Sequence, residues 1–404
     1  MIPTISIDEH EVIDAALQSY HPTLVREVAE RLLKPRSHWP TEDLIDRCLG
    51  TLLNGELIER RLTELDHDPR LIVTLISRSQ QSLWHFGNLI ELAVVFKADD
   101  PLKTILALLE GGLLYPVETP RSLQKFDSWL AVTNDPPLLM THPMVMRRAG
   151  KQTLTLPDLP KPEKEATSIQ EADGLEWPLK LAALWQITEQ AHIRRTQSGD
   201  FFKRDHQRLN TSELLNAPPA DTPQTLPDPA FLAISLAAPL GMIRQEGEEI
   251  YASNLPEEWN SGLCDTIESL WQAWLLVRRW HPEKGWQEEN EIRATPYPSA
   301  SLLLMLLLAD LKPEEWLPLS SLASWIQRHH PYWADDEQSD WIQPLLAGLA
   351  AQLRLVRLAK GSKDQVLVQL TDYGRWLFDE STDPPEAPEF PQSLMVQPNL
   401  EIVA

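Results

Sequence analysis

The sequence has few cysteines, few glycines and no long apolar run. Its 2 cysteines in 404 residues, Cys48 and Cys264, lie far apart without metal-ligand spacing, so neither a disulfide framework nor a zinc site is expected. The 34 prolines outnumber the 15 glycines, which indicates stiff connections between compact segments. The most apolar run, Ser299 to Ala309, reaches about half of the length that crosses a bilayer, so it predicts a buried core helix and no membrane partner.

Motifs of catalysis and targeting are also missing. The nearest approach to a phosphate-binding loop, at 360–363, lacks the first glycine, and no GxSxG, HExxH or GxGxxG motif occurs. His329 and His330 have no further ligand at suitable spacing, so we interpret them as helix-end or surface residues and not as metal ligands. We therefore expect a non-enzymatic chain with no cofactor and no metal. The N-terminus lacks the pattern of a secretory signal, so we expect a cytoplasmic protein.

Positive charge is scarce except in one stretch. The net charge of -23 opposes non-specific binding of the whole chain to phosphate backbones. Residues 194–209 reverse this balance with five basic and two acidic side chains, and we call this stretch the basic island. Its basic residues are Arg194, Arg195, Lys203, Arg204 and Arg208. Two interpretations stay open, because these charges can neutralise acids of neighbouring segments or can meet nucleic-acid phosphates.

The spacing of apolar residues predicts a mainly α fold with small β-hairpins, an α+β arrangement of tandem winged-helix domains joined by Pro-rich linkers. A helix, a glycine and a short strand recur near Gly55, Gly112 and Gly241, and Leu57-Ile58 reads as the first of these strands. The expected segments are a winged-helix-like unit at 1–70, a helical or winged-helix-like unit at 71–154, a linker at 155–176, a winged-helix-like unit with the basic island at 177–253, a Trp-rich helical connector at 254–298, a C-terminal winged helix at 299–380, and a linker with the first strand of a further domain at 381–404.

The C-terminal winged helix has the clearest pattern. Three apolar helices are followed by two alternating runs, Leu353 to Leu358 and Val366 to Leu370, around a Lys-Gly-Ser-Lys turn, which predicts a β-hairpin. Its tip is the second candidate surface for nucleic acid. The residues of this surface are Arg354, Arg357, Lys360 and Lys363.

Tryptophan is concentrated in the same half of the chain. Nine of the fifteen tryptophans lie between Trp259 and Trp341. On helices such spacing is more typical of core and inter-helix packing than of a ligand-binding box. We therefore expect these rings to be buried.

Two phrases carry a resemblance to a known family. They are TQSGDFFKRDHQRL at Thr196 to Leu209 and FPQSLMVQPNLEIV at Phe390 to Val403, and the phrase Leu-Thr-x-x-Gly-Arg at Leu370 to Arg375 fits the same source. They resemble bacterial helicase-associated domain proteins related to the N-terminal region of XPB-type DNA repair helicases. The resemblance covers about residue 100 to the end and implies several winged helices without a motor. It also implies that the last residues begin a domain that continues further, unless they form an added edge strand.

Two functions follow as hypotheses. The first is a non-enzymatic protein that acts in DNA transactions by binding DNA, a helicase partner, or both. The second is an acidic protein-interaction scaffold or transcription regulator that does not bind nucleic acid, which the net charge and the Trp-rich middle favour. Fold alone does not choose between them.

Overall fold

A computed structural model describes residues 9–36, 38–132, 137–150, 154–196, 199–219, 224–287, 297–333, 341–378, 383–386, 395–396 and 402–403. Helices dominate, and the strands form small antiparallel sheets, which confirms the mainly α fold with small β-hairpins. Within these ranges no helix is both long enough and apolar enough to cross a membrane.

Four helices form the N-terminal part, and the strand predicted at Leu57-Ile58 is wrong. Asn54 accepts hydrogen bonds from the backbone N–H groups of Glu56 and Leu57, so it caps a new helix that starts at Gly55. Across 9–36 and 38–70 the predicted winged-helix-like unit contains no strand. These helices are α1 (Glu9–Ser19), α2 (Pro22–Leu32), α3 (Thr41–Leu52) and α4 (Gly55–Glu64).

The next part contains a strand that the sequence did not predict. Residues 71–96 do not form one continuous helix, because a left-handed turn at Gln80 ends the first helix and a strand follows it. The strands pair antiparallel in the spatial order first, third, second. The elements are α5 (His67–Arg78), β1 (Leu83–His85), α6 (Phe86–Val95), α7 (Pro101–Glu110), β2 (Tyr115–Pro116), α8 (Phe126–Val132), β3 (Leu138–Met140) and α9 (Pro143–Ala149).

The linker predicted at 155–176 contains a strand, β4 (Thr167–Gln170), that adds to a distant sheet. Beyond it the same arrangement of elements returns, with the basic island between its first strand and second helix. Its sheet again has the order first, third, second. The elements are α10 (Glu176–Gln190), β5 (Ile193–Arg194), α11 (Lys203–Asn210), α12 (Glu213–Asn216), α13 (Pro229–Ala237), β6 (Ile243–Glu246) and β7 (Glu249–Ala252).

The Trp-rich segment is part of the core and not a mere connector. It holds α14 (Leu263–Leu275) and a short ribbon of β8 (Trp280–His281) and β9 (Gly285–Trp286). Seven of the nine tryptophans between Trp259 and Trp341 are buried, as expected from their spacing. Trp274 stacks on Tyr297 with ring centroids 5.2 Å apart, which joins α14 to the helix that follows.

The C-terminal part repeats the arrangement a third time. Its strands run in the order first, third, second, with β4 added outside the second strand. Its third helix, at 342–352, is π-helical over Pro344–Ala350. The labelled elements are α15 (Tyr297–Ala309), β10 (Leu317–Pro318), α16 (Leu319–His329), β11 (Val356–Lys360), β12 (Val366–Leu370), α17 (Asp372–Phe378), and the separate strands β13 (Met395–Val396) and β14 (Ile402–Val403).

Three repeat units therefore share a core topology of helix, strand, helix, helix, strand, strand, to which repeat unit 1 adds α8 between its last two strands and repeat unit 2 adds α12 before its last helix. We call them repeat unit 1 (67–140), repeat unit 2 (176–252) and repeat unit 3 (297–370). In each, the third helix ends in a left-handed residue, namely Gly112, Gly241 or Arg354. The residue after it donates a hydrogen bond back to the carbonyl five positions earlier, which is the Schellman helix ending. In each repeat unit this turn directs the backbone from the third helix into the second strand.

Candidate nucleic-acid interface

The basic island begins at the end of β5, continues as a tight loop and includes most of α11. Its two sides pair, because the N–H of Thr196 donates to the carbonyl of Asp200 at 2.7 Å and that of Phe202 donates to the carbonyl of Arg194 at 3.1 Å. An antiparallel bridge joins Arg195 to Phe201. The part of the island before α11 is thus a folded loop with its own backbone hydrogen bonds.

Arg195 lies inside this loop and not on a charged surface. It is 7% exposed. Its Nε donates to the carbonyl of Gly199 at 2.7 Å, and its Nη1 donates to the Oε1 of Gln245 on β6 at 2.9 Å. Its guanidinium also lies 5.8 Å from the ring centre of Phe201. The structure therefore assigns Arg195 to the support of the hairpin. Because the side chain is buried, it does not form the phosphate contact that the sequence predicted.

Arg194 and Arg208 share one buried acid. The carboxylate of Asp205 lies 3.3 Å from the Nε of Arg194 and 3.4 Å from the Nη2 of Arg208. Asp205 is 4% exposed, because it occupies the inner face of α11 one turn before buried Leu209. Arg208 also donates to the carbonyl of His192 at 3.1 Å. The internal interpretation of the island holds for these two arginines.

Arg279 completes the loop, although no sequence pattern predicted its contribution. It comes from the Trp-rich segment, where its Nη1 donates to the carbonyl of Gly199 at 2.6 Å and its Nη2 meets the carboxylate of Asp200 at 2.9 Å. Its guanidinium lies over the ring of Trp286 at 4.8 Å. Since Gly199 and Arg279 are 80 positions apart, only the fold brings them together.

Lys203 and Arg204 differ from the other cations of the island. Both are exposed, and neither side chain makes a hydrogen bond or ion pair with the described residues. They occupy the first turn of α11, where the helix dipole disfavours positive charge. They are the part of the island that can reach a ligand.

Most cations of the second candidate surface make internal contacts. The prediction that all four lie on a wing tip is therefore wrong for Arg354 and Arg357. Arg354 lies in the turn before β11, and its Nε donates to Glu171 at 3.1 Å. Arg357 donates to the amide oxygen of buried Gln369 at 2.9 Å and covers the ring of Trp316 at 5.5 Å.

Only the tip of the hairpin stays open to solvent. Lys360 pairs with Asp364 at 3.0 Å, and both side chains are exposed. The side chain of Lys363 lies outside the described residues. One of the four predicted cations is therefore shown at an exposed tip.

The segment predicted as a linker wraps around the same hairpin, and we call residues 163–171 the strap. Glu163 and Trp316 exchange two backbone hydrogen bonds of 2.8 Å, and the hydroxyl of Thr167 donates to the carbonyl of Lys360 at 3.1 Å. Glu171 accepts from Arg354 and lies 3.9 Å from Arg357. The strap thus covers the open edge of β11 and neutralises its arginines.

The third helix of each repeat unit is packed against other parts of the chain. In repeat unit 2, α13 is buried at nearly every position and is covered by the β8–β9 ribbon, where Trp286 packs on Phe231 at 5.4 Å. In repeat unit 3, Leu226 lies so close to Gly348 that an added Cβ would meet it at 2.7 Å. In repeat unit 1, α7 packs on α2, α5, α6 and α8.

A buried polar cluster links repeat units 1 and 3. Ser299 donates to the carboxylate of Glu91, and the Nε2 of His330 lies 2.9 Å from the Ser299 hydroxyl. The Nδ1 of His330 accepts from the N–H of Tyr332, so Nε2 carries the proton. Burial lowers the pKa of His330 to about 3 and raises the pKa of Glu91. His330 follows the last residue of α16, as expected for a helix-end residue, but it is only 2% exposed, so the prediction of a surface position was wrong.

This cluster differs from a Ser-His-acid triad. In a triad the acid binds the imidazole nitrogen remote from the serine, whereas here the acid binds the serine itself. The arrangement acts as a fixed polar joint between α6, α15 and the end of α16. Across the described ranges, no three His, Cys, Asp or Glu residues come together in a way that could hold a metal ion.

Comparisons of the chain with family models, with curated proteins and with solved structures found no match. The relation to helicase-associated proteins is therefore untested. The geometry of the chain carries the functional argument.

Proposed function

We propose that the three repeat units are winged helices fused into one core, and that the chain is a non-enzymatic, cytoplasmic accessory protein. It acts in DNA transactions by binding a protein partner and does not read duplex DNA. The observation that carries this proposal is the packing of the third helices, because that helix enters the major groove when a winged helix reads DNA. Winged helices packed in this way can still present their outer surfaces to another protein.

The resemblance supports a helicase as the partner. The 404 residues contain no phosphate-binding loop, and the proposal therefore places the motor in a partner chain. The direct test is titration of an XPB-type helicase into the fluorescently labelled chain, with nuclease present to remove bridging nucleic acid. Saturable binding is expected. Absence of binding at tens of micromolar, together with sequence-selective binding of duplex DNA, would overturn the proposal.

A further inference from the structure

The exposed part of the basic island includes an aromatic ring. Phe202 is 40% exposed, whereas its neighbour Phe201 is buried and packs on Phe231 with ring centroids 5.2 Å apart. Phe202 precedes the first residue of α11 and supplies no side-chain cap to the helix. Neither the core nor the helix start therefore accounts for a large apolar ring at this position.

One cation covers this ring, and two more follow it directly in the sequence. The guanidinium of Arg194 lies over it at 5.4 Å and is held there by buried Asp205. Lys203 and Arg204 follow directly and are exposed and unpaired within the described chain. The nearest acid along the sheet, Glu249, lies opposite Arg194 and accepts a hydrogen bond from the hydroxyl of Tyr251.

The placement of the two free cations costs stability. Positive charge in the first turn of a helix is unfavourable by about 0.3–1 kcal/mol per residue at an exposed site. Within the described part of the chain no acid pairs with either side chain, and Asp205, the acid of the same turn, is already engaged by Arg194 and Arg208. A local rule that is broken without an internal gain is expected at functional sites.

We propose that Phe202, Lys203, Arg204 and Arg194 form a binding site for single-stranded nucleic acid. A base stacks on the open face of Phe202, the adjoining phosphates meet Lys203 and Arg204, and Arg194, held by Asp205, backs the ring. Duplex DNA fits this surface less well, because its bases are already stacked and offer no free face. The site goes beyond the protein contact proposed above and does not depend on it.

The test measures anisotropy of a labelled oligothymidylate and a labelled oligouridylate of about twelve nucleotides, a length within the usual site sizes of such surfaces. A duplex of equal length is the comparison. The full chain is expected to bind both single strands at least tenfold more tightly than the duplex. Equal or tighter duplex binding would overturn the proposal.

Variants separate stacking from charge. Phe202→Leu, which keeps the apolar volume, is expected to weaken single-strand binding about tenfold, whereas Phe202→Tyr retains it. Lys203→Glu/Arg204→Glu is expected to reduce the salt slope by about 1.4, the value for two lost phosphate contacts on a single strand. The charge-matched control, Lys161→Glu/Lys164→Glu, lies on exposed residues away from the island. Equal losses in the control and the island variant, or no loss in Phe202→Leu, would contradict the site.

Discussion

Arg354 occupies in repeat unit 3 the left-handed helix ending that Gly112 occupies in repeat unit 1. Their φ angles are 58° and 65°, and each is followed by a buried leucine whose N–H bonds the carbonyl five residues before. A side chain in this conformation costs about 1–2 kcal/mol. Arg354 offsets that strain with its bonds to Glu171 and Asp173 and with its position over Tyr373 at 4.6 Å.

At Arg354 a glycine substitution should therefore destabilise the fold less than an alanine substitution, the reverse of the order expected in a strand. Arg354→Ala loses the contacts and keeps the strain, whereas Arg354→Gly loses the contacts and relieves the strain. We expect the glycine variant to be more stable than the alanine variant by about 1 kcal/mol in urea unfolding. Arg357, on strand β11, is the control, and there alanine should be better than glycine. The same order at both sites would contradict the account of the helix ending.

Gly112 has both a conformational and a spatial reason to lack a side chain. A Cβ at this position would lie 3.0 Å from the Cγ1 of Val28 and 3.0 Å from the hydroxyl of Tyr115. Gly112→Ala should lower the free energy of unfolding by about 1–2 kcal/mol. Gly87, inside α6, has nothing within 4 Å of such a Cβ, so Gly87→Ala should stabilise the chain by up to about 1 kcal/mol.

Asp205 is expected to neutralise Arg194 and Arg208. Asp205→Asn removes the shared carboxylate of Arg194 and Arg208 and should cost about 2 kcal/mol, less than for a fully buried pair because both arginines are partly exposed. The same variant should bind duplex DNA with a steeper salt dependence than the wild type, because two guanidinium groups become available. An unchanged salt slope would show that these arginines cannot reach phosphate even when released.

The burial of His330 should lower the free energy of unfolding at acid pH. Because its pKa is about 3 in the fold and about 6.5 in the unfolded chain, the stability it contributes is complete above pH 6.5 and is lost as the pH falls toward 3. At pH 5.5 the loss is about 1.4 kcal/mol. Glu91, whose pKa is raised, acts in the opposite direction because its contribution is lost as the pH rises.

The variant His330→Gln should flatten the fall in stability between pH 6.5 and 4.5, since the titrating group is gone. Urea unfolding at several pH values measures this slope. Burial also lowers the pKa of His281 to about 4, so His281→Gln should flatten the same limb independently. A slope that is identical in wild type and His330→Gln would contradict the burial of neutral imidazole.

The parts of the fold that the sequence predicts are those with long periodic patterns. The hairpin of β11 and β12, with five residues in each strand, is the clearest example. The first strands of the repeat units have only two or three residues, so β1 and β10 show no measurable period. Their pairing depends on tertiary packing, which a local pattern does not contain.

The candidate site was predictable only where its contacts lie within one periodic helix. Asp205 and Leu209 lie on one helix face, so a buried acid could have been inferred from their spacing. The contact of Arg279 with Asp200 and the strap on Arg354 join residues distant in sequence, and charge counting alone treats all such cations as free. The island therefore looked more basic in the sequence than it is in the fold.

The salt dependence of duplex DNA binding by the wild-type chain tests the central claim most directly. If the island is internally neutralised except for Lys203 and Arg204, the slope of log K against log salt should be no steeper than about -2, without preference for any sequence. A slope near -5, which needs about five or more phosphate contacts, or a reproducible preference for one duplex sequence would contradict it.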